Sequence, residues 1–230
     1  MFPGRRSALL LILGAVCAGC AGDPDAGTNG VAKLSPRTIE KRARTAAGTA
    51  DTVRMSGTVS SNGRTYRLDM RLRGNGGLGE VTAKGSTFEL LRVGEDLYLK
   101  AGADFYGDEV GAKLKNKYVK VPTGDPAYRQ FTGFTDKEVL LDGLFVLDGT
   151  LAVGDHRSVD GTRTIAVTGD GGSGGTLDVS LEGTPYPLRY ERAGGAGTLK
   201  LADWGKDFTL RAPDPDHVVD YGKSVTNADG

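Results

Sequence analysis

From Thr52 onward, apolar and polar side chains take turns along the chain. Val53, Met55 and Val59 are spaced by Arg54, Ser56 and Thr58, and then Tyr66, Leu68, Met70 and Leu72 by Arg67, Asp69, Arg71 and Arg73. A period of two puts every apolar member on one side of an extended chain, so both stretches predict strands with one buried face. Asn62-Gly63 between them supplies the left-handed residues of a tight hairpin. Gly74-Asn75-Gly76-Gly77 predicts a second turn, and strands over 79–84, 87–93 and 96–100 are punctuated by Gly85-Ser86 and Gly94-Glu95. Tyr118–Val121 forms another strand, stopped by Pro122. The alternation returns over 162–168, 175–181, 186–192, 197–202 and 206–211; in the second of these Leu177, Val179 and Leu181 oppose Asp178, Ser180 and Glu182. Short strands joined by tight turns make antiparallel meanders, apolar on one face and polar on the other.

Helical spacing interrupts this pattern. Ser35 suits a cap, Pro36 a first helical position, and Leu34 with Ile39 a hydrophobic staple, so a helix runs to about Ala50. Ile39, Ala43, Ala46 and Ala47 form its packing side. Lys33, Arg37, Lys41, Arg42 and Arg44 against Glu40 make the rest basic, either a solvated face or a surface resting on anionic lipid headgroups. Residues 103–116 predict a short helix. Thr135 and Glu138 read as a capping box with Phe134 and Val139 as its staple, opening a helix that carries Val139, Leu140, Leu141, Leu144, Phe145 and Leu147. Strands, helices, then strands with no long linker predict one α+β domain over 35–221, followed by a loose tail over 222–230.

The first twenty residues differ from everything after them. Arg5 and Arg6 precede the apolar run Ala8–Val16, which is too short to span a bilayer and right for the core of a signal peptide. The run ends in Cys17-Ala18-Gly19-Cys20, which resembles a bacterial lipobox with Cys20 as the acylated residue, although Cys17 stands where Leu is usual. Residues 1–20 are thus expected to be a signal peptide, exported by the general secretory or the twin-arginine route. Acyl chains such as palmitate on Cys20 would hold the protein on the extracytoplasmic face of the cell membrane. Residues 21–34 are small and polar and predict a flexible tether.

Composition narrows the chemistry. Lysine plus arginine and aspartate plus glutamate each number 29, so no basic field marks a nucleic-acid partner. Removing Arg5 and Arg6 leaves 27 cations against 29 anions, a net charge of −2. Glycine supplies 36 residues, which suits many turns and disfavours long helices. No cysteine follows Cys20 and only His156 and His217 are histidines, so no metal site is expected. Gly74–Gly79 matches a dinucleotide fingerprint and Gly171–Gly175 a nucleophile elbow around Ser173. Each of those sites needs a strand followed by a helix. Here both runs join strands, so turns are expected and catalysis is not.

An ordered set of short motifs carries a family resemblance. It comprises Ser56–Val59, Glu89–Ala101, Lys117–Pro122, Tyr186-Pro187-Leu188 and Ala202–Lys206, behind the lipobox. The set resembles the LppX/LprG-type lipoproteins of actinobacteria, which are similar in fold to the LolA/LolB lipoprotein carriers. The resemblance spans roughly 35–221, with Tyr118 where that pattern often has Trp. It implies a strongly curved antiparallel sheet, a half-barrel of about 10–11 strands, with helices over its concave face and an apolar cavity between them. The implied function is to bind acyl chains of a lipid or glycolipid and carry or present them in the envelope as a monomer, with a membrane transporter as a further partner and no other cofactor. Candidate lining residues are Met55, Leu68, Met70, Leu72, Phe88, Leu90, Leu97 and Leu99, with Leu140, Leu144 and Phe145 from the lid helix. An empty hollow of ~500 Å³ would cost roughly 12 kcal/mol, as much as a domain's whole stability, so such a cavity is filled by ligand, admits water or collapses. Alternation does not distinguish a hollow from a filled core. A filled core on the same scaffold implies an envelope interaction or sensor lipoprotein instead.

Overall fold

The alternating stretches pair as their turns dictate. The computed structural model describes residues 23–61, 63–102 and 114–220. Strands β1 (Thr52–Ser61), β2 (Arg64–Arg73), β3 (Gly76–Ala83), β4 (Ser86–Val93), β5 (Asp96–Ala101) and β6 (Tyr118–Val121) form one antiparallel meander. Strands β7 (Leu151–Val159), β8 (Thr162–Gly169), β9 (Thr176–Ser180), β10 (Pro187–Glu191) and β11 (Gly197–Ala202) form a second. Antiparallel pairing of β11 with β1, Met55 opposite Leu201, merges them. A short β12 (Val218–Asp220) lies parallel to β6 and completes a sheet of twelve strands. The edge strands β12 and β7 do not pair with each other, so the sheet is open.

Register turns the sequence period into a core. Leu201, Met55, Met70, Gly79, Leu90 and Leu99 stand in one line across six strands. The side chains of all but Gly79 are buried, and those five share one cluster with residues of all three α-helices found among the described residues. Helix α1 (Pro36–Thr49) packs beside β7–β10 on Ile39, Ala43, Ala46 and Ala47, the side its sequence predicts. Three alanines in that stripe let the helix approach closely. Its cations face outward, with Arg44 on Glu40. Helices α2 (Pro126–Thr132) and α3 (Lys137–Leu144) follow in the middle of the chain.

Two cations fix α3. Arg92 donates from Nε to Thr135 Oγ1 and from Nη2 to the Thr135 carbonyl, both at 3.1 Å, and to Asp136 Oδ2 at 3.0 Å. Buried Lys137 donates to the carbonyls of Gly48 and Ala50, satisfying orphan acceptors at the end of α1. One helix start is thereby tied both to the sheet and to another helix end.

The structure corrects several expectations. Residues 206–211 do not form a ladder; they belong to a strap, 203–217, that crosses from β11 past one end of the sheet to β12. Gly205 N donates to the Thr52 carbonyl and Thr52 Oγ1 to that of Lys206, while Arg73 lies 3.5 Å from Asp207 and over the Phe208 ring. Trp204 stacks on Tyr186 at 4.9 Å and donates to the Pro187 carbonyl, so two of the motifs behind the family resemblance meet at its start. The segment read as a free tether docks instead: Asn29 reaches the carbonyls of Ser180 and Gly183, Asp25 meets His156 at 2.8 Å, and Val31 is fully buried. The cap of α3 is Asp136, whose Oδ1 accepts from Val139 N, one residue beyond the expected Thr135, and Val139 points out to solvent. Strands β7 and β12 and helix α2 were not predicted. Residues 1–22 with Cys20, the helix expected over 103–116 up to residue 113, and the tail from 221 lie outside the described residues.

Tyr118 of β6 yields a titration test. Its hydroxyl donates to Glu89 Oε2, which also accepts from Lys100 at 2.9 Å. Burial first, and the negative charge of Glu89 second, push the phenol from 10.0 up to about 12. A raised value favours the protonated form in the fold, so its contribution to stability is complete below pH 10 and is lost as pH rises through about 12. Alkaline absorbance titration is expected to show a late tyrosine step that Tyr118→Phe removes. Unchanged titration in that variant refutes the assignment.

Candidate functional site

The inward columns of β1 to β4 run past the sealed core toward the β1–β2 and β3–β4 turns. Val59, Tyr66, Val81, Ala83 and Phe88 stand there. Helix α2 lies over them because Asp125 and Pro126 start it: Asp125 Oδ1 accepts from Ala127 N at 2.7 Å and Pro126 opens the first turn. This places Phe131 against Phe88 and Phe134 against Tyr66, each pair with ring centroids 5.6 Å apart and tilted.

The pairs leave space between sheet and helix. One cavity of about 420 Å³ has apolar walls of Tyr66, Val81, Ala83, Phe88, Ala127, Phe131 and Phe134, with Arg64, Lys84, Ser86 and Gln130 at its rim. A second of about 340 Å³ runs beside α3, among Val59, Leu68, Val139 and Leu140, with Arg192 and Ser61. Tyr66, Gln130 and Phe134 line both, so the two form one trough divided by the Tyr66–Phe134 pair. Volumes of this size suit a small ligand or part of a larger amphiphile. A third cavity, about 300 Å³, lies between α1 and α3 beside Leu141 and Phe145.

The trough offers apolar contact and positive charge. Among the described residues no carboxylate lines its two cavities. The glycine motifs lie elsewhere and close turns: Gly74–Gly79 lies between β2 and β3, extending into β3, and the loop of Ser173 between β8 and β9, with its hydroxyl on the Asp170 carbonyl. Among the described residues no group of three His, Cys, Asp or Glu side chains is placed to hold a metal.

The predicted lining residues divide into two sets. Phe88 opens on the larger cavity, Leu68 and Leu140 on the second, and Phe145 on the cavity between the helices. Met55, Met70, Leu72, Leu90, Leu97 and Leu99 are sealed in the core at no more than 6% exposure and line none of these spaces. The side chain of Leu144 is outside the description. Sequence reading missed Tyr66, Val81, Ala83, Ala127, Phe131 and Phe134 as trough residues. Asp125-Pro126 was the available signal for the helix that carries two of them.

Among solved structures, LprF from Mycobacterium bovis matches with a TM-score of 0.50 and 17% identity, over 77% of this chain and 96% of that one. The Mycobacterium tuberculosis lipoprotein LppX matches with a TM-score of 0.48 and 16% identity, over 76% of this chain and 98% of that one. No protein-family model and no curated protein matches the sequence. The chain thus has the fold of LprF, and the LppX/LprG resemblance read from its motifs reappears at the level of fold.

Proposed function

We propose that this chain is a lipoprotein of the cell envelope that takes acyl chains of a lipid or glycolipid into the trough and carries or presents them. In this reading Cys20 bears the anchoring acyl groups, and the open sheet curves around α1–α3 as a half-barrel with its helices on the concave side. The observation that carries the reading is the trough itself. Two neighbouring cavities with aromatic and aliphatic walls open at one end of the sheet, where a filled domain would have closed them. Transfer from bilayer to trough needs no bond to be made or broken, because burial of acyl surface supplies about 25 cal/mol per Å². No helix among the described residues is long and apolar enough to cross a membrane; the anchor in this reading is the lipid on Cys20.

The sealed inner core favours one second reading, an envelope interaction or sensor protein that carries no cargo. Mass spectrometry of organic-solvent extracts from the purified protein separates the two. Stoichiometric lipid is expected for a carrier. A folded protein that is lipid-free after purification from a lipid-rich host supports the second reading and removes the first.

A further inference from the structure

The trough ends in charges that the fold does not use. The inward column of β2 reads Arg64, Tyr66, Leu68, Met70, Leu72, so an apolar wall finishes in a guanidinium at the mouth. Lys84 stands beside it across the β2–β3 pair, where Tyr66 faces Ala83. Among the described residues the side chains of Arg64 and Lys84 make no hydrogen bond or ion pair. Arg92, at the far end of the β4 column, differs: it is consumed by Thr135, Asp136 and Gly94. Lys84 also holds a left-handed backbone, φ 51°, in a turn position where Asn or Gly is usual. Arg192, whose Nη1 donates to the Ser60 carbonyl at 2.9 Å, adds a third cation on the second cavity, and among the described residues none of the lining carries the opposite sign.

Unpaired cations at the rim of an apolar trough complement one kind of molecule. We infer that its ligand is an anionic amphiphile, with acyl chain along Tyr66, Phe131 and Phe134 and a carboxylate or phosphate head at Arg64 and Lys84. This rests on the acyl-binding reading above and adds the sign of the head. A neutral glycolipid would leave both cations without a partner.

The test uses the full chain carrying Cys20→Ala and a neutral fluorescent reporter, the methyl ester of cis-parinaric acid. Palmitate, hexadecyl phosphate and hexadecanol, equal in chain length, compete for it. One or both anions are expected to displace the reporter about fivefold better than the alcohol, from two exposed charge contacts. Which anion does so identifies the head. Raised salt and the double variant Arg64→Gln/Lys84→Gln should erase that advantage while the reporter still binds. A reporter that binds but yields equally to all three overturns the anionic head alone. A reporter that never binds the folded chain overturns the trough reading beneath it.

Discussion

Valine in place of Gly57 is expected to unfold the chain at the junction of its two meanders. Gly57 lies in β1 at φ 142°, and a Cβ there would stand 2.1 Å from the Thr198 carbonyl oxygen of β11. A Cβ on Gly197 would stand at the same 2.1 Å from the Thr58 carbonyl oxygen, from the other side. Both obstacles are backbone, so no side chain can swing aside. The strands would have to part and give up the Met55–Leu201 register that joins the halves of the sheet. A loss on the order of 4 kcal/mol or more is expected, from a total that for a domain is about 5–15. Urea unfolding followed by circular dichroism measures it. Gly94→Ala, in a turn at φ 62° with nothing within 4 Å, is the control and should cost only about 1–2 kcal/mol. A Gly57→Val protein within about 1 kcal/mol of the parent would show that the seam tolerates a side chain.

On the proposed acyl-binding reading, tryptophan at Ala127 is expected to exclude acyl chains from the trough while the fold stands. Ala127 is half-buried on α2, where it packs at the edge of the core and lines the cavity of about 420 Å³. The added indole enters space that already exists, so the usual overpacking strain does not arise. Lipid recovered by solvent extraction should fall at least about tenfold, with a thermal midpoint equal to or above that of the parent. Ala152→Trp on the exposed edge strand β7 should leave recovery unchanged. Full lipid recovery from a folded Ala127→Trp protein would place the cargo elsewhere.

The pattern of the chain made some of this legible. Tyr66 to Leu72 alternates cleanly because β2 has neighbours on both sides and one wet face, and α1 shows its packing side because its apolar residues recur at helical spacing. β7 was hidden because it is an edge strand: Val153 is exposed, a bulge interrupts its pairing with β8, and its ladder depends on β8 rather than on its own residues. Residues 206–211 of the strap alternate like a strand but find no partner edge, since β1 is already paired on both sides. The trough was least legible. Periodicity tells which way a side chain points, whereas a cavity depends on how far the facing element stands off. Met70 and Tyr66 belong to the same column; one is sealed and the other lines open space because Phe134 meets Tyr66 at an angle.

The order in which the strands acquire neighbours bears on export. The first meander has two outer strands, β1 and β6, and both find their second partners among the last strands of the chain, β11 and β12. A chain crossing a membrane from its N-terminus would therefore present six paired strands with both edges bare until nearly all of it had emerged. Bare edges invite pairing with other chains. If the chain is exported as proposed, its folding becomes a race between delivery of its C-terminal third and capture of those edges, and its yield should depend on translocation speed and on chaperones that shield strands.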